Sequence, residues 1–187
     1  MERKDIVIML SEMNLTGIGV EVGTYLGEFS EVILDNSRLS HLYSIDSWQD
    51  LTGTKYEDVG NHTYQEHMMH KAQAVKRLSK YNGRNSILHM FSAQAVERFE
   101  DCSLDFVYID AHHTYESCSE DIALWFPKVR VGGVFAGHDY IDDGFWDDRS
   151  FFGVKRAVNE FIEREQQTLH LTDEEQWRSW YVIKEQL

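Results

Sequence analysis

One proline in 187 residues leaves no room for a proline-rich linker. With no internal repeat or low-complexity tract, residues 1–187 read as one domain on a single core, opened by a leading helix over 1–15. Cysteine is nearly as scarce. Cys102 and Cys118 fit no CxxC or Cys/His spacing, so neither a disulfide framework nor a zinc knuckle is expected. Two reduced thiols in a cytoplasmic protein is the expectation. Positive charge is also short: 18 Lys and Arg face 32 Asp and Glu, a net charge of −14. Polyanion binding rests heavily on phosphate neutralisation, so no nucleic-acid partner is expected. Lys71, Lys76, Arg77 and Lys80 read as a solvated helix face. Long apolar runs are missing, and Met1 to Leu10 suits neither a signal peptide nor a membrane span. No membrane partner is expected, and the Asn61-His-Thr63 sequon reads as chance.

What is present is a globular composition, 42% hydrophobic and 27% charged, which excludes a disordered chain. Strand-like and helix-like segments alternate. Ile6, Met9, Leu10 and Met13 share one face of the leading helix. Strands are expected at Gly17–Gly23, His41–Asp46, Ser86–Phe91, Leu104–Asp110 and Gly132–His138, with helices between them. Tyr64, Met68, Ala72, Val75 and Leu78 give one such helix its apolar spacing, and Val154, Ala157, Val158, Phe161 and Ile162 give another. This order implies an α/β fold with a mostly parallel sheet covered on both faces.

The end of the chain refines that reading. Thr168–Leu171 and Arg178–Lys184 are both strand-like, and only a short polar stretch, Thr172–Gln176, separates them. A parallel crossover needs a dozen or more residues. The last strand therefore runs antiparallel, as a hairpin. A seven-stranded Rossmann-like sheet closed in this way is the class I methyltransferase arrangement, not that of a nicotinamide-binding domain.

Ligands of open parallel sheets bind beyond the carboxyl ends of the strands. Polar residues fall at five such ends. Glu21, Gly23, Thr24, Tyr25 and Gly27 follow the first strand. Asp46, Ser47 and Trp48 follow the second, Ser92 and Ala93 the third, Asp110 and His112 the fourth, and His138 and Asp139 the fifth. Together they suit S-adenosyl-L-methionine. Gly23 and Gly27 permit close backbone approach, and the next helix N-terminus favours the methionine carboxylate. Glu21 is an acceptor for the ammonium, Asp46 for the ribose hydroxyls. Ser92 is placed to contact the adenine and Trp48 to stack near it. Taken alone, each has a plainer reading: the glycines pack a strand–turn–helix corner, and Asp46 is an N-cap.

Four segments carry a resemblance: Glu21–Ser30, Leu104–Glu116, Gly132–Tyr140 and Gly153–Phe161. They resemble the small class I methyltransferases of the methyltransferase-24 group, akin to catechol O-methyltransferases and to macrolide-sugar and cephalosporin-pathway enzymes. The resemblance runs from about Gly17 to the end and is not specific for a substrate. It implies a small-molecule acceptor. In catechol-type relatives the base stands three positions after the Asp that ends the fourth strand. Here that position is His113, beside Asp110, so the base would be an imidazole. His112 would point elsewhere, toward the cofactor. Metal-dependent relatives hold Mg²⁺ with one acid after the fourth strand and two oxygen ligands after the fifth, which maps onto Asp110, His138 and Asp139. His138 departs from that pattern, since imidazole suits Mn²⁺, Fe²⁺ or Zn²⁺ better. The departure favours the alternative, in which His138 and Asp139 form a hydrogen-bonded turn shaping the pocket.

Two aromatic-bearing loops, 47–61 and 140–152, stand where an acceptor would enter. The second carries Asp142, Asp143, Asp147 and Asp148 around Phe145 and Trp146, and reads either as a solvated loop or as a lid. Two further hypotheses stay open: a metal-dependent hydrolase or oxygenase using His112, His113, His138 and Asp139, and a non-catalytic cofactor-binding module. The leading helix and exposed aromatics are compatible with a homodimer.

Overall fold

Val20, Val22, Val107, Ile109, Phe135 and the residues between them are buried on both faces of the sheet, the pattern of central parallel strands. The computed structural model describes residues 1–54, 60–141, 144–145 and 151–186. In chain order the elements are α1 (Arg3–Glu12), β1 (Ile18–Val22), α2 (Glu28–Asn36), β2 (His41–Asp46), α3 (Tyr64–Leu78), β3 (Asn85–His89), α4 (Ser92–Ala95) and β4 (Leu104–Ile109). There follow α5 (Tyr115–Trp125), β5 (Val129–Gly137), β6 (Gly144–Phe145), β7 (Phe151–Phe152), α6 (Val154–Glu165), β8 (His170–Leu171) and β9 (Trp180–Ile183).

Seven strands form one sheet in the order β3-β2-β1-β4-β5-β9-β8. β1 to β5 pair in parallel. β9 enters antiparallel beside β5, Val134 opposite Ile183 and Gly137 opposite Trp180, and β8 pairs antiparallel with β9 at the edge. The expected terminal hairpin is therefore present. Gly137 makes its docking possible: a Cβ there would lie 2.7 Å from three atoms of the Trp180 indole. The chain steps outward from β1 to β3, then returns to β4, so the switch point lies between β1 and β4.

Side-chain alternation sorts the two faces. Val20, Val22, Val107, Ile109 and Phe135 pack with α4, α5 and α6, around Trp125, Phe161 and Trp180. Phe106, Tyr108, Val134 and Ala136 pack with α1, α2 and α3. No helix among the described residues is long and apolar enough to cross a membrane.

Two expectations are corrected. The buried face of α3 is His67, Ala74 and Leu78. Tyr64, Ala72 and Val75, from the apolar set, are exposed, because α3 turns His70 toward Tyr25 and Ala74 and Leu78 toward Gly27 in the loop after β1. The 140–152 segment, read as a loop, contains a short ladder, Gly144 opposite Phe152 and Phe145 opposite Phe151. Asp142, Asp143, Trp146, Asp147 and Asp148, on which the lid reading turns, lie outside the described residues.

Candidate active site

The corner after β1 is shaped by its neighbours. Gly23 and Thr24 both donate their N–H to Ile45 O, at 2.8 and 3.2 Å, and Asp110 N donates to Val22 O at 2.8 Å. Gly23 sits at φ +96°, and a Cβ there would fall 1.8 Å from the Asp110 carbonyl oxygen. Glycine is required by the backbone at the end of β4, so its presence needs no ligand. Gly27, at φ +73°, caps α2, where a Cβ would stand 3.2–3.3 Å from Leu78 and Ala74. Thr24 is buried, its Oγ1 3.3 Å from Ile45 O.

Asp46 braces two loops at once. Its carboxylate accepts from Tyr25 N at 2.8 Å and from Trp48 N at 2.7 Å. Burial raises its pKa despite both bonds. Tyr25 and Trp48 take left-handed backbone, φ +49° and +40°. Strained non-glycine residues on either side of one carboxylate mark a site that its surroundings hold rigidly. Trp48 does not offer its ring to a ligand. It is 1% exposed, its Nε1 donates to Tyr25 O at 2.9 Å, and it meets His89 edge-on. His89 Nε2 lies 2.8 Å from Ser47 O. The Ser92 hydroxyl is committed to α5: it donates to Asp121 and accepts from Trp125 Nε1 at 2.8 Å. Burial pushes the Asp121 carboxyl up to about 7. Ala93, next in α4, is exposed.

Glu21, offered by the sequence to an ammonium, is closed off. It is 1% exposed and accepts a hydrogen bond from Ser30. Burial pushes it up to about 8, against the lowering effects of Ser30 and Arg3. The unfolded chain releases this proton near the ordinary 4.5, so between about pH 4.5 and 8 the folded state holds more protons. Stability from this group falls as pH rises through that window. Glu21→Gln keeps the acceptor for Ser30 and is expected to flatten the fall in Tm. Identical pH slopes for both proteins would show that Glu21 is not held protonated.

Beyond β4 and β5 three side chains converge. His113 Nε2 is 2.8 Å from Asp139 Oδ2, and His138 Nδ1 is 2.9 Å from Asp139 Oδ1. The two imidazoles hold the Asp139 carboxyl well below the usual range, overcoming its burial. Asp139 itself sits at φ +56°. The His113 ring stacks on Phe152 at 4.5 Å, and Phe152 meets Trp177 at 5.6 Å. His112 turns aside to Thr114, Nδ1 3.2 Å from Oγ1. His112, His113, His138 and Asp139, with Asp110, Ile109, Cys118 and Trp180, line a recess at the ends of β4 and β5. The metal set read from the sequence is regrouped here: ligand atoms of Asp110, His113 and Asp139 lie within 4.8 Å of one another, and His138 is not among them. The left-handed turn at Asp139 aims its carboxylate back at His113, while His138 pairs from the other side.

Two features escaped the sequence. Arg3 of α1 reaches Asp110, Nη2 to Oδ2 2.6 Å, with its guanidinium 3.7 Å from the Phe29 ring centroid. A separation of 107 residues left no local signal. His62 and His70 pack on Tyr25, with His70 edge-on to Tyr25 at 4.6 Å and to His62 at 4.7 Å, and His67 meets His62 at 5.6 Å. The i, i+3 spacing of His67 and His70 was the one available clue.

Comparison with known proteins bears on the family and the fold. Residues 20–140 match the methyltransferase-24 family model, described as a methyltransferase domain. An uncharacterized protein of Sinorhizobium fredii (strain NBRC 101917 / NGR234) is 27% identical over 125 residues, 64% of this chain, which spans only 13% of that protein's length. An O-methyltransferase from Bacillus cereus, solved in complex with SAH, superposes with a TM-score of 0.64 at 15% identity, covering 97% of this chain and 80% of that one. A precorrin-6y C5,15-methyltransferase from Geobacter metallireducens gives 0.64 at 12% identity, covering 97% and 87%.

Proposed function

The chain belongs to the methyltransferase-24 family of S-adenosylmethionine-dependent methyltransferases, and from that premise we propose that it methylates a hydroxyl of a small molecule, with His113 as general base. The observation that carries this reading is the His113–Asp139 pair, 2.8 Å apart beside the recess at the ends of β4 and β5. The family relation alone does not select oxygen as the acceptor; an oriented imidazole beside the recess favours a group that must lose a proton.

The residues present fit the cofactor. Asp46 and Asp110 end β2 and β4, the strands flanking β1. Two strand spacings set them about 10 Å apart, one carboxylate toward a nucleoside and one toward an amino-acid end. Asp46 accepts one N–H on each oxygen, and each oxygen keeps a lone pair for a ribose hydroxyl. Bound S-adenosylmethionine supplies an electrophilic methyl on a sulfonium. The protein aligns the acceptor oxygen with it and removes the proton. Asp139 orients the His113 imidazole and stabilises the imidazolium formed as the proton leaves. Phe152, stacked on that ring, and Trp177 behind it exclude water from one side.

Calorimetry with S-adenosylhomocysteine tests the cofactor site. The wild type is expected to bind, and Asp46→Ala to weaken binding by about 10–100-fold, the worth of charge-assisted bonds to two hydroxyls. No wild-type binding at millimolar ligand would overturn the reading. Methyl transfer to a panel of sugars, phenols and secondary metabolites then identifies the acceptor class.

A second reading rests on the convergence of Asp110, His113 and Asp139. In it they hold a divalent ion, with Mn²⁺, Fe²⁺ or Zn²⁺ suited to the mixed set, which polarises the acceptor oxygen. Elemental analysis of the purified protein separates the two. A stoichiometric metal lost in Asp139→Ala supports it; turnover undiminished by chelation excludes it.

A further inference from the structure

The methionine end of the cofactor carries an ammonium and a carboxylate on one carbon. An anion and a cation side by side can read both. At the switch point the structure supplies such a pair, from two elements far apart in sequence. Asp110 closes β4, and Arg3 reaches it from the first turn of α1 at 2.6 Å.

The surroundings of Arg3 exceed what tethering a helix needs. Its guanidinium stands over Phe29, 3.7 Å from the ring centroid, and 4.9 Å from that of Tyr108. Its backbone N–H is held by Glu174 at 2.5 Å. The side chain is 26% exposed, so it is not sealed from the crevice. Its Nε is buried with no hydrogen-bond partner. A buried unpaired donor on a charged group is a standing penalty, and it shares an edge with Nη2, which holds Asp110, so a carboxylate taking Nε and Nη2 together would relieve it only as Asp110 gives way.

Charge balance points the same way. Glu21 feels the fields of Arg3, Asp110 and Asp46, one cation among carboxylates. S-adenosylmethionine brings the complement, two positive groups and one negative. The obvious rival for the carboxylate, the N-terminus of α2, already carries Glu28 and Glu31 in its first turn. Those acids are paired with Arg77 and Lys80 and answer the helix dipole there.

We infer that Arg3 and Asp110 form a zwitterion clamp, Arg3 taking the carboxylate and Asp110 the ammonium of the cofactor's amino-acid end. This rests on the S-adenosylmethionine reading. It makes α1 part of the binding site, with Arg3 exchanging part of its hold on Asp110 for the ligand.

The test compares S-adenosylhomocysteine with its decarboxylated analogue, 5′-(3-aminopropylthio)-5′-deoxyadenosine, by calorimetry. The wild type should prefer the carboxylate-bearing ligand by about 10–100-fold. Arg3→Met should bind both within about threefold of each other, and Arg3→Lys, which keeps charge but not the planar fork, should fall between them. Thermal melts monitor folding, and a residue that only anchors α1 would weaken both ligands equally. Full discrimination retained in Arg3→Met overturns the clamp, as does a wild type that binds both ligands alike. If Arg3→Met does not fold, an Arg3→Lys variant with unreduced discrimination overturns it. A wild type that binds neither ligand removes the cofactor reading itself.

Discussion

Replacing His113 by alanine is expected to lower kcat by about 10²–10⁴-fold, the usual worth of a positioned general base. Affinity for S-adenosylhomocysteine should stay within about threefold, since the proposed base acts on the acceptor and not on the nucleoside. Asp139→Asn is expected to reduce kcat by a similar order. It leaves an amide that accepts from only one imidazole and donates to the other, in place of a carboxylate accepting from both at 2.8 and 2.9 Å, so a ring is forced into the wrong tautomer and the imidazolium loses its counter-charge. The two changes act on one unit, so the double variant should be little worse than either alone. Single-turnover rates with saturating cofactor check this directly. A His113→Ala enzyme within about tenfold of the wild type would remove the imidazole from the chemistry. Loss of cofactor affinity together with rate would instead mean that the stack on Phe152 holds the pocket's shape.

Gly23→Ala is expected to be the most damaging single methyl in the site. The added carbon would meet the Asp110 carbonyl oxygen at 1.8 Å and its carbon at 2.5 Å, both backbone, at φ +96°. Relief requires β1 and β4 to part at the switch point. A loss of more than about 4 kcal/mol follows, the range reserved for overpacking and backbone strain. For a chain of this size that lowers Tm by about 8–16 °C. Gly53→Ala is the control. It also has positive φ, +72°, but nothing lies within 4 Å of its Cβ. Only the left-handed penalty of about 1–2 kcal/mol applies there. Melting temperatures of the two variants within a few degrees of each other would mean that the corner tolerates a side chain.

These expectations draw unequally on sequence and structure. Strand positions, the parallel order and the terminal hairpin were legible, because short apolar runs alternating with helical spacing and a connection too short for a crossover leave few alternatives. So was the gathering of Gly23, Asp46, Asp110 and His113 at strand ends, since a parallel sheet brings all its carboxyl ends to one edge. The face of α3 was not. Its apolar spacing named Tyr64 and Val75, which are exposed, whereas the buried turn carries His67. A helix face is set by what it packs on, and here that surface includes Tyr25 and its imidazole neighbours.

By itself the sequence determined the fold family and the edge of the sheet where the candidate site residues gather. Only the tertiary structure decided which groups there meet. It closed Glu21 behind Ser30, turned Ser92 toward Asp121, and joined Asp139 to both His113 and His138. It also brought Arg3 to Asp110 across 107 residues. The reason is physical. Alternation along a strand fixes which face a side chain takes, but its partner comes from whichever helix covers that face, and that is a property of packing between distant segments.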